Sequence, residues 1–203
     1  SIFQKFQTLE FMSLVGSGAG AIGINRPIMC NGANLLFEKS VYENTLHTNK
    51  YASGDDIFLM LQLKKKYKKG VHFIKSTDAI VYTKPTSNLK EFIAQRIRWT
   101  SKSKAYRDVD IILTAVVVAF TNLLSLFCLA ASIFKMEFLF IYFFVFALKS
   151  IADLFVIIPV SRFFRQQKLV SYFIPLQIIY PLYIVFISIA GTTISFRWKD
   201  RML

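Results

Sequence analysis

The sequence predicts an α/β module over residues 1–108, followed by an α-helical transmembrane region of about three apolar segments over residues 109–203. Two observations carry this. Residues 1–108 hold 17 Lys or Arg and 8 Asp or Glu, whereas residues 109–203 hold only 8 and 4. In the first part, helical periodicities alternate with short apolar runs bounded by Gly, Pro and Asn. The second part reads as long apolar stretches of membrane-spanning length. The 203-residue chain is 54% hydrophobic and contains 21 Phe, a high share for a soluble domain.

The first element is a helix with apolar positions at Phe3, Phe6, Leu9, Phe11, Met12 and Val15. Gly16-Ser17-Gly18-Ala19-Gly20 is expected to stop it, as a loop or a close-packed small-residue segment. This run is no dinucleotide loop, because it follows a helix rather than a strand. Ile28-Met29-Cys30, Asn31-Gly32-Ala33-Asn34 and Leu35-Leu36-Phe37 read as strand, tight turn, strand. Gly54-Asp55-Asp56 opens an apolar helix that runs into Lys64-Lys65-Lys66-Tyr67-Lys68-Lys69 and stops at Gly70. Val71 to Ile74 and Ala79 to Thr83 read as short strands. Asn88 caps an interfacial helix placed over 89–107.

Three membrane helices are expected at about 111–134, 138–160 and 169–196. Lys149 and Asp153, four residues apart in the second, can pair on one helix face, which lowers the penalty of burying both. Pro175 and Pro181 should kink the third. Arg162, Arg165 and Lys168 place the second connection in the cytoplasm, and the basic module with it. A third crossing would put the basic tail Arg197-Trp198-Lys199-Asp200-Arg201 outside. Either the tail is an exception to the charge rule or one stretch does not span.

The net charge of +13 calls for anionic partners. Beside apolar spans, lipid headgroups explain it most economically. Nucleic acid is excluded because no nucleic-acid motif accompanies the charge. Cys30 and Cys128 have neither disulfide nor metal spacing. The chain starts without a signal-peptide pattern. Its opening reads like the interior of a protein, so it is expected to be the C-terminal part of a longer one.

Two motifs carry chemistry. Asp55-Asp56 at a helix start offers a carboxylate able to accept a proton from an attacking hydroxyl. On the dipeptide alone, a simple N-cap pair is the stronger reading. Gln95-Arg96-Ile97-Arg98-Trp99 places Gln95, Arg98 and Trp99 on one helix face. Arg can hold a diphosphate bidentately and Trp can stack on a sugar. Alone, this motif reads better as an amphipathic interfacial helix.

The order decides between these readings. Cys30-Asn31-Gly32-Ala33-Asn34, then Ser53-Gly54-Asp55-Asp56, then Gln95-Arg96-Ile97-Arg98-Trp99, then membrane helices, resembles the C-terminal half of a membrane-bound family 2 glycosyltransferase. That group includes cellulose, chitin and hyaluronan synthases and ceramide glucosyltransferases. The resemblance covers most of Phe3 to Thr100. It implies a GT-A fold and inverting transfer of a hexose from a nucleotide sugar, a UDP-sugar by expectation, to a lipid or glycan acceptor. It also implies a role in polysaccharide or glycolipid biosynthesis of the cell envelope.

By this resemblance Asp56 is the general base and Asp55 supports it or binds acceptor. Gln95, Arg98 and Trp99 match the signature that contacts donor diphosphate and acceptor, and Arg96 is counted in the same set. Asn31 and Gly32 match the segment lining the acceptor side. The resemblance further implies Mg²⁺ or Mn²⁺ held by an upstream Asp-x-Asp. No Asp-x-Asp precedes Asp55, and Asp108-Val109-Asp110 stands in the wrong place, so no metal ligand is assigned in this chain. The chain is accordingly expected to be inactive alone. The expected location is the bacterial plasma membrane, with the catalytic part cytoplasmic. The rival reading is a non-catalytic membrane protein, a transporter subunit or scaffold, with Lys149 and Asp153 as its best support.

Overall fold

The computed structural model describes residues 1–43, 54–193, 197–198 and 201–202. Their helices are α1 (Ile2–Gly23), α2 (Lys39–Glu43), α3 (Asp55–Lys66), α4 (Leu89–Thr100), α5 (Val109–Ala131), α6 (Glu137–Phe163) and α7 (Phe173–Thr193). Short 3₁₀ turns stand at Thr77–Ala79, Ser101–Ala105 and Gln167–Tyr172.

Among the described residues no α/β fold is present, which corrects the predicted class. The segments expected as strands at 28–30, 35–37, 71–74 and 79–83 form no ladder. The one ladder among the described residues pairs Arg197–Trp198 with Arg201–Met202, outside the predicted α/β module. The turn between the first two expected strands does form, with the Asn34 N–H donating to Asn31 O at 3.0 Å. Its flanks form no ladder. Short apolar runs mark candidate strands, but a sheet also needs a second backbone opposite each. Here side chains make the contacts instead. Met29 lies against Gly18 of α1, and the Asn34 side chain donates to Ala79 O at 2.7 Å.

α1 continues through the glycine run that was expected to stop it. The reason is packing. A Cβ on Gly16 would lie 2.4 Å from Val160 Cγ2, and one on Gly18 2.8 Å from Met29 Cγ. These glycines let α1 approach its neighbours closely. Leu9 and Met12 complete that approach, forming a buried cluster with Ile157 of α6 and with Leu169 and Phe173 at the start of the last apolar stretch.

Among the described residues, three stretches are long and apolar enough to cross a membrane: Val109–Ala131, Glu137–Phe163 and Gln167–Thr193. Asp108 caps the first, its Oδ1 accepting from the N–H groups of Asp110 and Ile111 at 3.1 and 3.2 Å. The Lys149–Asp153 pair forms at 2.6 Å. It also joins α6 to α7, because Gln177 donates to the same Asp153 oxygen at 2.7 Å. Lys149 lies 5.0 Å from the centre of the Tyr180 ring. Pro175 sits in the first turn of α7, where no intrahelical donor is lost, and Pro181 stands inside the helix.

α4 ends at Thr100 and gives way to a 3₁₀ turn, earlier than the helix read from sequence. It packs along the second half of α7, with Ile97 against Ile187 and Ala190. A Cβ on Gly191 would fall 2.6 Å from Thr100 Cβ. The helix that carries the signature is thus seated on the last apolar helix.

Candidate active site

The chemistry begins where α3 starts. Gly54 takes φ +92 and caps α3 without a side-chain bond. The Lys102 side chain crosses it so closely that a Cβ there would meet Lys102 Cδ at 2.8 Å. Glycine suits this position for its left-handed backbone, and the flexible Lys102 side chain fills the space a Cβ would take. Asp55 and Asp56 follow as the first two helical residues, where the helix N-terminus favours negative charge.

Asp56 is fixed by two backbone donors. Its Oδ1 accepts from the Ile57 N–H at 2.9 Å and its Oδ2 from the Gly32 N–H at 3.0 Å. Gly32 is presented by a local turn in which Asn31 Oδ1 accepts from the Ala33 N–H at 3.1 Å. A Cβ on Gly32 would lie 2.8 Å from Asp56 Oδ2, so only glycine permits this approach. Two motifs that are 24 residues apart therefore meet at one carboxylate. Ser53, first residue of the acidic motif, lies outside the described residues.

Four further side chains act on this carboxylate. Burial, and then the Asp56 charge, pushes the Cys30 thiol up to about 12. Burial, then Asp56, then Cys30 push the Tyr106 hydroxyl up to about 12. Both groups are thus held in the neutral, proton-bearing form at neutral pH. Two cations also interact with it. Burial pulls the Arg98 guanidinium below its ordinary value and Asp56 opposes that pull. Burial likewise lowers the Lys102 ammonium, with Asp56 opposing, Arg98 adding to the fall and Asp55 opposing it. A carboxylate pair is therefore flanked by an i, i+4 pair of cations.

The signature helix divides its residues between two places. Asn88 caps α4 by accepting from the Glu91 N–H at 2.9 Å. Hydrogen bonds from Ser87, and then from Asn88, hold the Glu91 carboxyl below its usual range. Phe92, Arg96 and Ile97 face inward. Arg98 belongs electrostatically with Asp56. Arg96 instead turns onto Glu10 of α1, its Nε donating to both carboxylate oxygens at 3.1 Å. Its Nη1 donates to Gln95 Oε1. Trp99 is half-buried between this guanidinium, 4.3 Å from its ring, and Phe11, whose ring centre is 6.3 Å away. Sequence placed Gln95, Arg96, Arg98 and Trp99 in one binding set. The structure holds Gln95, Arg96 and Trp99 together and sends Arg98 to the acidic centre.

Several residues of this region were not singled out from sequence: Glu10, Lys102, Tyr106 and Tyr183. Lys102 had a signal, since it stands one helical turn after Arg98. Glu10 had one too, as the sole acid in a largely apolar helix. Tyr106 and Tyr183 are placed by tertiary contacts that no short spacing announces. Cys30 was read as part of the Asn31-Gly32 motif, without a place beside Asp56.

The Asp-x-Asp letters at the membrane boundary are otherwise engaged. Lys64 Nζ bridges Asp108 Oδ1 and Asp110 Oδ2 at 2.7 Å each, and Arg26 pairs with Asp110 at 2.9 Å. Among the described residues, no group of three or more His, Cys, Asp or Glu is arranged to hold a metal ion. These described residues do not fit a Mg²⁺ or Mn²⁺ site.

The family model described as glycosyl transferase family group 2 matches residues 1–192. No curated protein and no solved structure matches the chain.

Proposed function

The chain belongs to the glycosyl transferase family group 2, and from that premise we propose that it carries the acceptor and catalytic-base part of a membrane-bound inverting glycosyltransferase. Membership implies a nucleotide-sugar donor and an acceptor. Three stretches of membrane-spanning length mark a membrane protein. The finer assignments that follow are our reading.

Asp56 takes the proton from an acceptor hydroxyl as that oxygen attacks the anomeric carbon of the donor. The bond from that carbon to the diphosphate oxygen breaks as the new glycosidic bond forms, and the nucleoside diphosphate leaves with the electron pair. The two backbone N–H bonds keep the carboxylate aimed. Asp55 supports it or binds acceptor. Arg98, joined by Lys102, meets the negative charge that grows on the leaving diphosphate. Trp99, held by Phe11 and Arg96, shapes the acceptor pocket, with Gln95, Asn31 and Gly32 at its edge. The observation that carries this reading is the Gly32 N–H bond to Asp56 Oδ2, with the Arg98–Lys102 cations on the flank.

We assign recognition of the nucleotide, and any Mg²⁺ or Mn²⁺ on its diphosphate, to sequence outside the described residues. The donor is read as a UDP-hexose and the acceptor as a lipid or glycan. The location is read as a bacterial plasma membrane with the catalytic part cytoplasmic. The Lys149–Asp153 pair, which a transporter reading would need, is engaged by Gln177 and Tyr180 between two helices.

The stereochemistry of the product tests the mechanism. With the full-length protein in membranes, the proton coupling at the new anomeric centre is read by NMR. A single displacement inverts the configuration of the donor carbon. A product of retained configuration would remove Asp56 from the role of base.

A further inference from the structure

Glu10 is the one acidic residue of α1, and both its carboxylate oxygens are taken. Oε1 and Oε2 accept from Arg96 Nε, Oε2 also accepts from Arg96 Nη2, and Oε1 accepts from the Tyr183 hydroxyl at 2.6 Å. The Glu10 and Arg96 side chains are 5% and 6% exposed. Stability alone is a weak reason for such a group, since a buried ion pair can often be replaced by apolar residues of equal volume without loss.

Direction is what an apolar triad would not supply. With its Nε and Nη2 edge fixed on Glu10, the guanidinium has one orientation. Its face lies 4.5 Å from the Phe92 ring and 4.3 Å from the Trp99 ring. Its remaining nitrogen, Nη1, reaches Gln95 Oε1. One guanidinium thus sets both Gln95 and Trp99, and it is itself set from α1 by Glu10. Glu10 is in turn steadied from α7 by Tyr183. The Tyr183 ring stands against Phe6 and Phe92, with centroids 5.6 Å apart in each case, so its hydroxyl has a fixed origin.

We propose that Glu10 is a positioning residue for sugar transfer. Through Arg96 it holds Gln95 and Trp99 in their working rotamers, and through Tyr183 it ties that geometry to the last apolar helix. The kinetic part rests on the proposed glycosyl transfer. The geometric part does not.

The test uses the full-length protein in lipid nanodiscs, labelled with 5-fluorotryptophan, as Glu10→Gln, Glu10→Asp and Tyr183→Phe. Each variant is made alone and together with Trp99→Phe. Glu10→Gln is expected to lower kcat/KM about tenfold, but only about twofold once Trp99 is already Phe, because groups acting as a unit do not add. Tyr183→Phe shifts both values the same way by a smaller factor, and Glu10→Asp recovers part of the loss. The fluorine resonance assigned to Trp99 moves in Glu10→Gln and in Tyr183→Phe. Equal losses in both Trp99 backgrounds, or an unmoved Trp99 resonance, overturn the proposal. Should Glu10→Gln fail to fold, Tyr183→Phe carries both readouts with the ring packing kept. A wild type that transfers no sugar defeats the functional reading, while the fluorine spectrum still decides the positioning claim.

Discussion

Asp56→Asn, made in the full-length protein, is expected to lower sugar transfer about 10³-fold, within the 10²–10⁴ range of a positioned general base. The substitution keeps the shape of the side chain and removes its basicity. Asp56 accepts from two backbone N–H groups, one on each oxygen. An amide has one oxygen, so one of those donors loses its partner. The half-buried setting leaves water access, and the stability penalty should fall near the low end of the roughly 1–3 kcal/mol for an unsatisfied group. A thermal melt measures that penalty separately. Donor binding, followed by isothermal titration of the nucleotide sugar, should stay within about twofold, since Asp56 carries no assigned donor contact. Turnover near the wild-type level in a folded Asp56→Asn protein would leave Asp56 as a helix-start residue and nothing more.

Arg98→Gln should give the second largest effect, a fall of about 10²-fold in kcat, the scale of one lost donor to a developing charge. The guanidinium is already partly desolvated, and the nearby Asp56 charge works against that. Such a cation gains most when a second anion, the departing diphosphate, arrives beside it. Lys102 remains in the variant and keeps the loss from reaching that of Asp56→Asn. Arg98→Lys should recover part of the rate, because it restores the charge but not the planar fork. Steady-state kinetics, with the nucleoside diphosphate as product inhibitor, check this. Inhibition should weaken in Arg98→Gln by a factor comparable to the loss in rate. Unchanged inhibition together with an unchanged kcat would detach Arg98 from the leaving group.

The helices were legible because each has a local cause. Asn88 caps α4 as its position before Leu89 suggests, and Gly54-Asp55-Asp56 opens α3. The Lys149–Asp153 pair follows from i, i+4 spacing inside an apolar run. The strands were misread because a short apolar run does not name the second backbone that a ladder needs. Ile28-Met29-Cys30 shows the difference. It is half-buried, yet Met29 meets the glycine face of α1 rather than another strand. The same glycines misled the reading of α1. Close packing was one of the two expectations for this run, but the neighbours that let the helix continue, Val160 and Val156, stand some 140 residues away and are visible to no short window.

The candidate site divides along the same line. The resemblance put Asn31, Gly32 and Asp56 in one site without naming a contact between them, and the Gly32 N–H donates to Asp56 Oδ2. The inward turn of Arg96 was not. A basic residue between Gln95 and Arg98 looks like one more ligand for phosphate. Only the position of Glu10, 86 residues earlier, turns it into a buried structural link.

Transfer itself is the most direct measurement. Membranes bearing the full-length protein are supplied with radiolabelled nucleotide hexoses. Label entering the acceptor fraction and nucleoside diphosphate released are counted in the same samples, beside membranes bearing Asp56→Asn. The account predicts one nucleoside diphosphate for each sugar transferred, with both nearly abolished in the variant. Equal labelling by the wild type and Asp56→Asn, or diphosphate release without any sugar transferred, would contradict it.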